Sequence, residues 1–159
     1  MSDESYWLAK SCELESKLDM LMNKLTNFQK VQQFHKVFQK KVADTPVDLT
    51  ERILPEETYE EIVLRMKLIK EEYDEVMYEL ENATSIEKIA KELSDLLYVV
   101  YGCADVLGIP IDDCFAEVHR SNMSKLDKDG NPIFREDGKI LKSELYSPAD
   151  LSSILKKTP

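Results

Sequence analysis

Apolar residues recur along this chain at steps of three and four, the spacing that lines one face of an α-helix. From about Ser5 to Val42 the sequence contains neither Gly nor Pro. It reads as one long helix or two abutting ones, with Leu14, Leu18, Leu21, Leu25 and Phe28 forming a narrow seam. After Phe28 the seam changes phase to Val31, Phe34 and Phe38, which argues against a long regular coiled coil. Pro46 and Pro55 mark a connecting loop. A second helix is expected from about Glu56 to Glu81, with Ile62, Met66, Ile69, Tyr73, Val76 and Leu80 along one face. "NATS" ends it, and Thr84 or Ser85 can cap a third helix that runs to about Leu107 and is the most apolar of the set. "GIP" stops that helix, and Pro110 or Ile111 opens a fourth that ends near Lys125.

Beyond Lys125 the periodicity is lost. "DKDGNPIFREDGKILKS" holds two Asp-Gly turns, and the second lies between short apolar-polar alternations, a β-hairpin signal. "DKDGN" lacks the third ligand position, the placed glycine and the closing Glu of a calcium loop, so it is read as a turn. "YSPADLSSIL" is expected to add one short helix. The predicted fold is all-α: a four-helix-bundle-type core with a long N-terminal helix and a small C-terminal β-hairpin. As one domain it divides into a helical extension over 1–30, a helical core over 31–126, and a hairpin and tail over 127–159.

Composition narrows the function. The chain has 159 residues, with 31 acidic against 21 basic and a net charge of −10. A surplus of that sign argues against a protein that grips a nucleic-acid polymer, whose backbone wants a basic face. Free nucleotides stay open, because a bound dication inverts the local sign. Cys12, Cys103 and Cys114 form no zinc or disulfide spacing and are expected to be free thiols. The acidic start "MSDESYW" does not resemble a targeting signal, and the longest apolar run, "LLYVVYG", is too short to span a bilayer. A cytoplasmic protein without a membrane segment is expected.

The acidic phrases "IKEEYDEVMYEL" and "KELSDLLYVV" stand beside the most apolar helices. Residues three apart lie about 60° apart around a helix and about 4.5 Å apart along it, so Glu72 pairs with Glu75 and Glu92 pairs with Asp95. A single such pair is ordinarily solvated surface. Two pairs on consecutive antiparallel helices, each at the edge of an apolar seam, can face one another. Two like charges about 4 Å apart repel by roughly 4 kcal/mol at an effective dielectric near 20. Four converging carboxylates must therefore take up protons or bind cations. Oxygen donors alone favour hard ions, Mg²⁺ first and Mn²⁺ or Ca²⁺ next. A di-iron site would need Glu-x-x-His motifs, and neither His35 nor His119 follows a Glu by three residues.

"EEYDE" and, after sixteen intervening residues, "ELSD" resemble the ExxE…ExxD signature of the all-α nucleoside triphosphate pyrophosphohydrolases. That superfamily includes MazG-like enzymes, dimeric dUTPases and phosphoribosyl-ATP pyrophosphohydrolase. "VQQFHKVFQ", "DLLYVVYGCADVLGI" and "AEVHRSNMSKLDKDGNPIFREDGKILKSELYSPADL" extend the resemblance over about Val31 to Leu155. It implies hydrolysis of a nucleoside triphosphate between the α and β phosphates, with Mg²⁺ held by Glu72, Glu75, Glu92 and Asp95. It further implies that a water activated by the cation attacks, with Glu71 as the residue that orients or deprotonates it. Asn122 and Lys125 correspond to a pair that reaches the phosphates, and Phe34, His35 and Phe38 are the candidates for contact with the base. Family members assemble as dimers or tetramers, so a homodimer or homotetramer is expected. Two rivals remain at this point: a phosphoribosyl-ATP hydrolase, and a non-catalytic helical interaction protein using the Leu14–Leu25 seam.

Overall fold

A computed structural model describes residues 24–50 and 54–156, together with Trp7, Lys10 and Ser11. Among these residues the regular structure is helical throughout: α1 (Asn27–Val37), α2 (Glu56–Glu81), α3 (Ile86–Val106), α4 (Ile111–Met123) and the short α5 (Ser152–Leu155). α3 is the central element. It packs along α2 on one side and against α1 on another, and touches α4 near the bend between them. The axes of α3 and α4 are bent by 113°.

Each boundary has a local cause. Thr26 begins α1 with a capping box: its hydroxyl accepts from the Gln29 amide at 3.2 Å, and the Gln29 side chain accepts from the Thr26 amide at 2.9 Å. The same hydroxyl donates to Asp112 at 2.6 Å, tying the start of α1 to the first turn of α4. Of the two readings, one long helix or two abutting ones, this cap sets aside a long helix running unbroken through this point, because the chain is non-helical at Lys24–Thr26 and α1 begins afresh. The seam at Leu14, Leu18 and Leu21 lies outside the described residues. Ser85 caps α3 by accepting from Lys88.

Beyond α3, Gly108 has φ +66°, and a Cβ there would lie 2.3 Å from the Thr45 carbonyl oxygen. Only glycine fits. The close approach lets the 43–47 loop bond the end of α3, Ala43 N–H to Val106 at 3.2 Å and Val47 N–H to Leu107 at 3.0 Å.

The interior is small. Phe28, Val31, Val76, Ala104, Val106 and Cys114 form its buried apolar part. Beside them lies a polar knot. The Asp105 carboxylate accepts from His35 Nδ1 at 2.7 Å and from Gln32 Nε2 at 2.9 Å, and His35 is 3% exposed. Buried Arg65 of α2 donates to Glu61 one turn earlier, at 2.8 Å from Nε. Gly102 makes room for both helices, since a Cβ there would be 3.3 Å from Arg65 Nη1 and 3.4 Å from His35 Nε2. The knot thus joins α1, α2 and α3.

Met66, Tyr73 and Leu80, three seam positions seven apart on α2, are exposed, as are Leu93, Leu97 and Val100 on α3. The spacing of three and four holds on α2, with Ile62, Ile69 and Val76 turned inward and Met66, Tyr73 and Leu80 outward among the described residues.

The expected C-terminal β-hairpin is also corrected. The chain does double back at Asp137–Gly138, with Leu141 N–H bonding the Ile133 carbonyl at 2.8 Å. Only one isolated antiparallel bridge forms, between Phe134 and Ile140, and no strand develops on either side. Phe134 and Ile140 are themselves exposed, so no apolar face is buried to stabilise a sheet. Among the described residues no single helix is long and apolar enough to cross a membrane.

Candidate functional site

The link Asn82–Ser85 turns the chain tightly, with Ala83 at φ +47°, and returns α3 antiparallel to α2. That hairpin brings the two acidic pairs together. Glu72, Glu92 and Asp95 each offer a carboxylate oxygen, and these atoms all lie within 4.8 Å of one another. Glu92 is buried, whereas Glu72 and Asp95 are half-buried. Glu75 is more exposed and stands close enough to Glu92 to feel its charge. An open cleft lined by Asp74, Glu75, Tyr78, Glu79 and Glu92 leads to this point.

Lost hydration pushes the Glu72 carboxyl above its usual range, and the charges of Glu75 and Asp95 push it the same way. Glu75 is raised by lost hydration and by the charge of the neighbouring Glu92. Lys91 offsets part of the repulsion: its ammonium donates to Asp95 at 2.8 Å and to Glu92 at 2.9 Å, which raises its own pKa. Lys91 is the residue that motif reading missed. Its signal was present, since a lysine four residues before Asp95 on a helix pairs with it. Glu71 is exposed beside the cluster, and its charge reaches both Glu72 and Glu75.

The other candidates fall into two groups. Asn122 and Lys125 bond one another at 2.7 Å at the end of α4. On α1, Phe34 and Phe38 lie on the surface with ring centroids 4.3 Å apart, and Phe34 meets the edge of Tyr98 at 5.7 Å. His35 is brought to the interior instead, with Nδ1 occupied by Asp105. A groove of about 240 Å³ between α1 and α3 is lined by Asn27, Lys30, Val31, Ser94, Leu97, Tyr98 and Tyr101. A separate cavity of about 180 Å³, under the 41–47 loop, is lined mainly by apolar side chains and holds none of the clustered carboxylates.

Residues 31–122 match the model of the family described as phosphoribosyl-ATP pyrophosphohydrolase. A protein of Acanthamoeba polyphaga mimivirus, itself described as uncharacterized, is 30% identical over 128 residues, covering 76% of this chain and 43% of its own length. The chain therefore spans less than half of that relative.

Proposed function

Because the chain belongs to the phosphoribosyl-ATP pyrophosphohydrolase family, we propose that it hydrolyses a nucleoside or deoxynucleoside triphosphate, of the house-cleaning or dUTP type, between the α and β phosphates. The products are a nucleoside monophosphate and pyrophosphate, and the ion is Mg²⁺, with Mn²⁺ as substitute. The observation that carries this reading is the meeting of Glu72, Glu92 and Asp95 oxygens within 4.8 Å across two helices. A donor set made only of carboxylate oxygens suits a hard dication. The upward-shifted acids of Glu72 and Glu75 indicate a cluster short of positive charge even with Lys91 present.

Glu72, Glu75, Glu92 and Asp95 would hold the ion. When bound, it supplies charge neutralisation for the triphosphate, polarisation of the phosphoanhydride and a more acidic water. Glu71 orients the attacking water and takes up its proton. Asn122 and Lys125 bind the phosphates as an amide donor and a point charge. Phe34 and Phe38 present aromatic surface to the base, and the α1–α3 groove beside Tyr98 is open to it. His35 acts indirectly, holding α1 on α3 through Asp105.

The exposed apolar residues Met66, Tyr73 and Leu80 of α2 are assigned to contact with a second copy of the chain, in a homodimer or homotetramer. Sedimentation at the monomer mass would refute that assignment. The compartment that suits free thiols and a nucleotide substrate is the cytoplasm.

The family match makes phosphoribosyl-ATP a second candidate substrate. The deciding assay is pyrophosphate release from a panel of nucleoside and deoxynucleoside triphosphates, dUTP and phosphoribosyl-ATP, with and without Mg²⁺. Turnover of at least one, dependent on the ion and abolished in Glu75→Gln, is expected. No turnover of any, or an unchanged Glu75→Gln, overturns the reading.

A further inference from the structure

Residues 143–150 run back along α4, and their hydrogen bonds reach from its last turn to its middle. Ser143 Oγ donates to the Leu126 carbonyl at 2.7 Å, and Ser147 N–H donates to Ser124 Oγ at 2.8 Å. Farther along, Arg120 donates to the Pro148 carbonyl at 3.1 Å, and Asp150 N–H donates to Glu117 at 2.9 Å. This segment has no buried apolar residue of its own, so hydrogen bonds rather than packing fix its course.

What it brings to α4 is specific. The Lys142 ammonium sits 4.1 Å from the centroid of the Tyr146 ring. The Tyr146 phenol bonds buried Ser121, and the charges of Lys142 and Lys125 both reach it, so its pKa falls below the usual range. Among the described residues, no carboxylate forms an ion pair with Lys125 or Lys142. The Asn122 oxygen accepts from Lys125, and its amide hydrogens have no protein acceptor among the described residues. What remains are donors: the Asn122 amide hydrogens, the Tyr146 hydroxyl and the spare hydrogens of two ammonium groups. A group of surplus donors and unpaired positive charge is complementary to an acceptor-rich anion.

We propose that Asn122, Lys125, Lys142 and Tyr146 form a binding site for a phosphate-bearing anion, and that the 143–150 segment serves to hold Lys142 and Tyr146 in it. Resting on the function proposed above, the anion is the pyrophosphate portion of the substrate, and the same site retains pyrophosphate as product.

The test is calorimetric titration of the full chain with inorganic pyrophosphate and, separately, inorganic phosphate, in chelator-treated buffer of fixed ionic strength. Wild type should bind pyrophosphate more tightly than phosphate. Lys142→Met should weaken pyrophosphate at least five-fold and Tyr146→Phe about three-fold. Lys128→Met, which removes the same charge from a nearby turn, should leave it unchanged. Equal affinity in wild type, Lys142→Met and Tyr146→Phe overturns the site, as does an equal loss in Lys128→Met. Turnover separates this from the reaction itself. If no nucleotide is hydrolysed but Lys142→Met still loses pyrophosphate, the anion site stands without the reaction. If nucleotides are hydrolysed and Lys142→Met keeps wild-type KM and pyrophosphate affinity, the reaction stands without the site.

Discussion

The His35–Asp105 pair makes an asymmetric prediction. His35 is 3% and Asp105 6% exposed, and their 2.7 Å bond joins α1 to α3. Replacing His35 with Leu strands a buried carboxylate whose remaining partner is Gln32 at 2.9 Å. Leaving a buried charge without its partner costs about 3–5 kcal/mol. Replacing Asp105 with Leu instead leaves an imidazole N–H unsatisfied, at about 1–3 kcal/mol, while the Gln32 amide, on an exposed residue, can turn to water.

The double variant removes both polar groups, so it should be more stable than His35→Leu alone. For a chain of this size 1 kcal/mol moves Tm by about 2–4 °C, so His35→Leu should melt roughly 6–20 °C below wild type. Thermal and urea unfolding at one fixed protomer concentration measure all four proteins. Losses that simply add, or a His35→Leu protein no worse than Asp105→Leu, refute the buried-pair account. A His35→Leu protein with wild-type Tm and a several-fold higher KM would make His35 a substrate contact instead.

Three further outcomes follow from the electrostatics. Native pKa values of Glu72 and Glu75 lie above the ordinary 4.5, so the metal-free native state takes up protons first; its Tm should rise as pH falls from 7 toward about 5, and saturating Mg²⁺, which needs ionised carboxylates, should reverse that slope, whereas a flat metal-free profile would count against the cluster. Lys91→Met should lower the Tm of the metal-free protein and enlarge the rise caused by Mg²⁺, because the ammonium that bridges Glu92 and Asp95 is gone; an unchanged Mg²⁺ shift would show that Lys91 does not compete for those oxygens. Glu117 is held at about 2 by Arg120 and the Asp150 amide, so its support is complete above the ordinary 4.5 and is lost as pH falls toward 2; Glu117→Gln should expose residues 127–150 to limited proteolysis at neutral pH, and a wild-type cleavage rate would mean that the segment is anchored by its other bonds.

How far the sequence could be read depends on whether the decisive interaction is local. α2, α3 and α4 carry their apolar period and their start and stop signals within a few residues, so their positions were legible from Glu56 to Met123. The carboxylate meeting was legible for the same reason: i,i+3 spacing on two helices joined by a four-residue link fixes who faces whom. The break before α1 was local too, a capping box of Thr26 and Gln29 set inside a run that has neither Gly nor Pro. The hairpin failed for a non-local reason, because Asp-Gly turns specify reversal while strands need a surface to cover. The place of His35 is non-local as well: a histidine on an amphipathic helix is brought to the interior by Asp105, seventy residues later, which bonds its Nδ1.

The C-terminal segment shows the same principle most sharply. Serine and tyrosine carry no periodicity, so nothing in "KSELYSPAD" announces that Ser143 and Ser147 fasten it to α4. Once fastened, however, Lys142 and Tyr146 acquire a fixed relation to Lys125 that sequence distance hides. A segment without apolar anchoring that is held by so many side-chain bonds contributes little hydrophobic burial to folding. Its bonds are better accounted for by what they position, which is why loosening it at Glu117 and neutralising it at Lys142 should weaken the binding of pyrophosphate alike.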